Sequence, residues 1–208
     1  MRMIETLNTK GDQMMANSIR ARKEVLRKQV KAARKELDED YLRAASREIT
    51  AHILGSELYR NATTIFAYMN YGKEVITDEL IAAVLEAGKR ICIPLCLSDN
   101  QMEAKLYQSD ADLHLGKYDI REPNADAVTV APEEIDLAII PCLSCDPRGN
   151  RLGHGAGYYD RYLANTSFVK MALCPEKLLM VNVATDKFDV RMDAVVTEKG
   201  LIQIGGWK

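Results

Sequence analysis

The stretch Asp136-Leu-Ala-Ile-Ile-Pro-Cys-Leu-Ser-Cys-Asp-Pro-Arg-Gly-Asn-Arg-Leu-Gly-His-Gly-Ala-Gly-Tyr-Tyr-Asp-Arg-Tyr-Leu163 decides how the rest of the chain is read. Ile135 to Ile140 is apolar apart from Asp136 and predicts a buried strand. Asp146-Pro147-Arg148-Gly149 predicts a turn. Gly149, Gly153, Gly155 and Gly157 then place four of the chain's twelve glycines within nine residues. Gly153-x-Gly155-x-Gly157 lacks side chains at alternate positions, so its backbone can take positive φ and bring successive N–H groups close to a ligand. A helix starting at Tyr158 and running to Ala164 would add its dipole to that anion nest. Arg151 and His154 are candidate side-chain donors. Asp160, in the first helical turn, is a candidate Mg2+ ligand beside phosphates. Of Tyr158 and Tyr159, one can pack inward while the other offers a ring face to a planar ligand. The spacing is neither the P-loop pattern nor the dinucleotide fingerprint.

Outward from this loop, strand-like and helix-like segments alternate. Ile19, Leu26, Val30, Ala33 and Leu37 recur at helical spacing, predicting a helix over 18–36 capped by Asn17 or Ser18. Arg20, Lys23, Arg27, Lys31 and Arg34 make a basic stripe beside that face. Such a stripe is either a solvated face or a polyanion contact. Leu42, Ala45, Ile49, Ile53 and Leu54 predict a second helix over 39–59. Thr63 to Met69 is β-branched and aromatic and reads as a strand. Thr77 is positioned to cap a helix that stops at Gly88. Arg90 to Leu95, Met102 to Tyr107, Val169 to Leu173, Leu179 to Val183 and Leu201 to Ile204 read as further strands, with 108–134 as a long polar connection. The alternation predicts an α/β fold, three-layer α/β/α with a mostly parallel central sheet and an N-terminal helical segment. Residues 1–17 read as a polar extension and 18–208 as a single domain.

The totals bound the rest. With 28 Lys plus Arg against 30 Asp plus Glu, no charge excess points to a nucleic acid or a membrane surface. No apolar run approaches the length of a membrane span, and the N-terminus has no secretory signal pattern, so the expected compartment is cytoplasmic. Five cysteines without such a signal argue against a disulfide framework. Cys142-Leu-Ser-Cys145 has CxxC spacing, with Cys92 and Cys96 as an imaginable second pair. Both pairs sit at the ends of apolar strand-like runs and read as small buried thiols.

Asp146-x-x-Gly149-Asn-Arg-Leu-Gly-x-Gly-x-Gly-Tyr-Tyr-Asp-Arg161 resembles the signature of the 5-formyltetrahydrofolate cyclo-ligase (5,10-methenyltetrahydrofolate synthetase) family. Lys23-x-x-x-Arg27 resembles its N-terminal ATP contact, Glu74-Val-Ile-Thr77 its folate segment, and Asp189-x-x-x-Asp193 with Val195-Val-Thr-Glu198 its metal-site segment. The resemblance spans about residues 18–204. It implies ATP- and Mg2+-dependent closure of 5-formyltetrahydrofolate through a phosphorylated formyl group. ATP would be held by Lys23, Arg27, Gly149, Arg151, Leu152, Gly153, His154, Gly155, Ala156, Gly157 and Tyr158, with Lys23 and Arg151 catalytic. The folate would meet Met69, Glu74, His154, Gly155, Gly157, Tyr158 and Tyr159, and Mg2+ would sit on Asp160 and Asp189. A monomer or weak homodimer is expected. The chain departs from the family pattern at His154 (usually Arg), Ala156 (often Lys or Gly), Cys142-Leu-Ser-Cys145 (usually Gly-Leu-x-Phe), Phe188 (commonly His) and near Ala184, where a proline is missing. These departures leave a second reading, a non-catalytic or repurposed folate- or nucleotide-binding relative.

Overall fold

A computed structural model describes residues 2–116 and 120–205. Helices α1 (Arg2–Lys35), α2 (Glu39–Leu54) and α3 (Glu57–Asn61) come first. The helix expected from residue 18 thus begins at Arg2; no proline interrupts the backbone before Lys35. The helix expected over 39–59 is divided. Its backbone breaks at Gly55, and the Ser56 hydroxyl accepts from the Tyr59 N–H to start α3. Strand β1 (Thr64–Phe66), helix α4 (Asp78–Glu86), and strands β2 (Arg90–Cys96) and β3 (Met102–Tyr107) follow. Thr77 occupies the N-cap of α4, but its hydroxyl donates to the Tyr68 carbonyl instead of capping the helix. The connection over 108–134 is more ordered than its polarity suggests. It holds the ribbon β4 (Leu113–Leu115) with β5 (Arg121–Pro123), then β6 (Thr129–Val130). Then come β7 (Leu137–Pro141), the ribbon β8 (Ser144–Cys145) with β9 (Arg151–Leu152), helix α5 (Tyr158–Leu163), and strands β10 (Val169–Leu173), β11 (Ala194–Thr197) and β12 (Gly200–Gln203). Leu179 to Val183 is not a strand. Its backbone is engaged elsewhere, Met180 N–H on the Cys145 carbonyl and Val183 N–H on the Asp146 carboxylate.

The main sheet has the order β12-β11-β10-β7-β1-β2-β3-β6. From β11 to β2 every pairing is parallel, and antiparallel strands flank that block on both sides. Strand periodicity sorts the core into two faces. Phe66, Cys92, Ala138, Ile140, Ala172 and Val195 pack on one side with Val30, Leu37 and Leu163. Their sequence neighbours Ile65, Ile91, Leu137, Ile139, Met171 and Val196 pack on the other with Ile49, Ile53, Leu80 and Val84. Helices α1 and α5 therefore cover one face and α2 to α4 the other, giving the three layers expected from the alternation.

Over residues 18–37 the buried positions are Lys23, Val30 and Arg34 on α1 and Leu37 just past its end, with Ile19, Leu26 and Arg27 half-buried. Ala33 is exposed, but Ile19, Leu26, Val30 and Leu37 of the expected apolar face are buried or half-buried, and the covered face widens to take in Lys23, Arg27 and Arg34 of the adjacent basic stripe.

Glycine is demanded at one position above the others. Gly149 has φ +85°, and an added Cβ would lie 2.5 Å from the Met192 carbonyl oxygen. Gly88 has φ +68° but nothing within 4 Å. Gly88→Ala should cost only the left-handed backbone penalty, about 1–2 kcal/mol. Gly149→Ala should cost more, about 3 kcal/mol or above, because a backbone atom must also move. Urea denaturation of both variants at pH 7 checks the difference.

Candidate active site

Three loops converge at the C-terminal ends of adjacent parallel strands. Residues 67–77 leave β1, 142–157 leave β7 and 174–193 leave β10. The chain runs from β1 to β2 on one side, and later returns to place β7 on the other. The crevice beside β1 and β7 is thus the switch point at which open α/β sheets bind ligands.

The basic stripe of α1 ties all three loops. Lys23 Nζ lies between two carboxylates of the third loop, 2.7 Å from Asp186 Oδ2 and in a very short contact with Asp189 Oδ2. Its side chain is only 7% exposed, so its charge depends on these partners. Arg27 Nε donates to the Gly153 carbonyl at 3.0 Å, and its guanidinium lies against Gly155. Arg34 Nε donates to the Lys73 carbonyl at 2.8 Å. Lys73 returns the contact by donating to the Lys35 and Leu37 carbonyls at the end of α1. Arg20 and Lys31 stay exposed, so only they fit the solvated-face reading of the stripe.

The glycine loop is built on Asp146. Its carboxylate is fully buried and accepts from the N–H groups of Arg148, Asn150 and Val183 and from the Asn150 side chain. Burial pushes this carboxyl up, but those donors, Val183 first, outweigh it and hold it below the usual carboxylate range. The expected turn forms, with Gly149 N–H on the Asp146 carbonyl. Gly155 (φ +109°) and Gly157 (φ +78°) take the conformations only glycine adopts freely. Gly153 does not have positive φ; its carbonyl instead faces Arg27. Gly157 leads into α5, which has six residues. So short a helix carries little dipole, and the positive potential beside the loop comes from its amides and the cationic side chains around it.

Arg151 is buried beneath this loop. Nη2 donates to Asp160 Oδ1 at 3.1 Å and Nη1 to the Pro141 carbonyl at 3.2 Å, while Nε is buried without a partner among the described residues. Its guanidinium lies 5.4 Å from the Tyr159 ring centroid. Tyr158 and Tyr159 both pack partly against the core on this side. Burial pushes the Tyr159 phenol well up, with the Glu74 charge adding to it. Leu152 is a core residue, so only its backbone is available to a ligand. His154, Gly155 and Ala156 are exposed at the loop tip.

Glu74 faces the loop from the opposite side. Oε2 accepts from Tyr71 N–H at 3.1 Å, and Oε1 lies 3.5 Å from His154 Nε2. Met69 is not brought to this group; it is buried among the residues on the α2–α4 face. Asp160 and Asp189 share a neighbourhood, because Val190 N–H donates to Asp160 Oδ1. Hydrogen bonds to Asp160 fall on Oδ1 and those to Asp189 on Oδ2. Each carboxylate keeps an oxygen without a partner among the described residues. Hard oxygen donors of this kind suit Mg2+. The sequence reading missed Asp186, three residues before Asp189, although the spacing of two acids on one loop was visible.

A model of the 5-formyltetrahydrofolate cyclo-ligase family matches residues 19–198. The probable 5-formyltetrahydrofolate cyclo-ligase of Schizosaccharomyces pombe is 30% identical over 162 residues, covering 70% of this chain and 79% of the relative. The 5-formyltetrahydrofolate cyclo-ligase of Haemophilus influenzae is 27% identical, covering 81% and 94%. Among solved structures, 5,10-methenyltetrahydrofolate synthetase of Aquifex aeolicus superposes with a TM-score of 0.80 at 27% identity, covering 89% of this chain and 94% of that one. The Mycoplasma pneumoniae synthetase shares the fold, with a TM-score of 0.70 at 22% identity and coverage of 85% and 98%.

Two measurements probe the charges that build the site. Lys23→Met should lose about 2–3 kcal/mol at pH 7, since two carboxylates then face each other without a cation and one of them is partly exposed. Adding Asp186→Asn should recover part of that loss in urea denaturation. The Asp146 carboxyl has its native pKa below its unfolded one, so its contribution is complete above about pH 5 and fades as pH falls through the native pKa. Asp146→Asn should therefore lower stability at neutral pH and flatten the decline between about pH 5 and pH 2.

Proposed function

Because the chain belongs to the 5-formyltetrahydrofolate cyclo-ligase family, and is therefore an enzyme of that class, we propose that it closes 5-formyltetrahydrofolate to 5,10-methenyltetrahydrofolate in an ATP- and Mg2+-dependent reaction releasing ADP and phosphate. The observation that carries this reading is the meeting, at one switch point, of a glycine loop, three cationic side chains and a carboxylate facing the loop tip.

The chemistry demands such a site. A formamide oxygen is a poor leaving group. Transfer of the γ-phosphoryl group to it breaks the P–O bond to ADP and makes a good leaving group. The folate N10 then attacks the activated carbon; its proton is released, the C–O bond breaks and phosphate departs. The protein's part is positioning and charge neutralisation. The amide N–H groups of the 153–157 loop donate to the triphosphate oxygens, with Arg27 against Gly155 and Lys23 from the same helix supplying positive charge. Arg151 is assigned to the transferred phosphoryl group, a role supported by a guanidinium that Asp160 and the Pro141 carbonyl hold in place. Its unpaired Nε is a further donor. Glu74 accepts from the N–H groups of the pterin, a pairing a carboxylate makes well. Its contact with His154 sets the folate segment against the phosphate loop. Asp160 and Asp189 would hold Mg2+, which when bound neutralises charge on the phosphates. The substrate is a small molecule, and the reading needs neither a nucleic acid nor a membrane.

Mixing protein with 5-formyltetrahydrofolate, ATP and Mg2+ should raise the methenyl-folate absorbance. Absence of ATP-dependent turnover at high enzyme concentration would overturn the proposal, and folate binding without product would favour the non-catalytic reading. Arg27→Ala should raise the ATP KM by about tenfold with the folate KM little changed. Glu74→Gln should show the opposite pattern, its effect falling on the folate KM.

A further inference from the structure

The site above uses none of the five cysteines, yet three of them meet. The Sγ atoms of Cys142, Cys145 and Cys174 all lie within 4.8 Å of one another, and all three residues are buried in the core on the α1–α5 side. Cys92 and Cys96, the imaginable second pair, are not part of this group. The Cys92 thiol faces the Ile65 carbonyl, and Cys96 is exposed.

Topology creates the trio. Parallel register sets Pro141 against Leu173, so Cys142 and Cys174 are the next positions past the ends of two adjacent strands. Cys145, in β8, pairs with Arg151 as the chain turns toward the glycine loop. Their existing bonds are weak. Cys142 Sγ donates to the Leu173 carbonyl at 3.1 Å and Cys174 Sγ to the Pro175 carbonyl at 3.5 Å. Among the described residues no His, Asp or Glu joins the three sulfurs. Arg34 and Arg151 are the cations whose charge reaches Cys142.

We propose that Cys142, Cys145 and Cys174 form a three-sulfur binding site for one soft d10 cation, Cu(I), separate from the hard carboxylates Asp160 and Asp189. Three sulfurs bonded to one ion at ~2.3 Å stand about 4.0 Å apart in a trigonal arrangement, so each needs to move by at most about half an ångström. Thiolate donors select soft ions, whereas Zn2+ usually takes a fourth ligand that this apolar core does not offer. Each ligating thiol gives its proton to solvent, and no electron is transferred. Arg34 and Arg151 offset the negative charge that three thiolates leave around a monovalent ion. The bound ion ties the ends of β7, β8 and β10 together beneath the glycine loop.

The test is a titration of the reduced full chain, with oxygen excluded, against Cu(I) held by the chromophoric chelator bicinchoninate. The expected result is withdrawal of one Cu(I) per chain, with an ultraviolet sulfur-to-copper band. Affinity should fall at least about 100-fold in Cys142→Ser and Cys174→Ala, and stay unchanged in Cys96→Ser. X-ray absorption at the copper edge of the loaded wild-type protein should count three sulfur neighbours, a reading that does not depend on any variant folding. Retention of all copper by the chelator would overturn the proposal. So would equal withdrawal by the Cys142 and Cys174 variants, or a copper shell with fewer than three sulfurs.

Discussion

A lysine ammonium almost wholly withdrawn from water is costly to bury unless carboxylates meet it, and the arrangement of this protein's crevice follows from that constraint. Lys23 draws Asp186 and Asp189, on the long loop after β10, onto the same helix that Arg27 and Arg34 bind to the loops after β7 and β1. One helical face thereby fixes three loops that the sheet alone would leave to vary. The cost is a nearly buried ammonium that must stay paired with two carboxylates, while Arg27 and Arg34 are held by backbone carbonyls.

Asp146 plays the corresponding part inside the glycine loop. A buried carboxylate accepting several backbone and amide donors folds the chain back on itself, and it does so only because Gly149 lets the backbone pass close to Met192. The loop is therefore supported from below, while His154, Gly155 and Ala156 at its tip stay exposed. Rigid support under an exposed set of amides is the arrangement that electrostatic preorganisation calls for. The shortness of α5 removes most of the dipole such loops often use, and the cations of α1 and Arg151 take its place.

Much of this was legible in sequence because it is local. Short, nearly continuous apolar runs in Ile135 to Ile140 and Val169 to Leu173 report strands buried on both faces, and period-3.6 patterns report α2 and α4. The four clustered glycines report a backbone that needs positive φ, though only three of them use it. Where reading failed, a distant partner had intervened. Leu179 to Val183 has the composition of a strand, but Asp146 and Cys145 claim its backbone groups. Residues 108–134 look like a polar connection, but pair with each other and with β3.

The sequence by itself determined the alternation of strands and helices, the place of the loop and the presence of a basic stripe, since each depends on neighbours within a few residues. Only the tertiary structure decided that Lys23, Arg27 and Arg34 of the stripe turn inward while Arg20 and Lys31 stay exposed. It alone brought Asp186 to Lys23 from 163 residues away, set His154 beside Glu74, and left Met69 in the core. Cys174 joins Cys142 and Cys145 for the same reason. Parallel strands place residues far apart in sequence at one end of a sheet, and no local pattern records which of them will meet there.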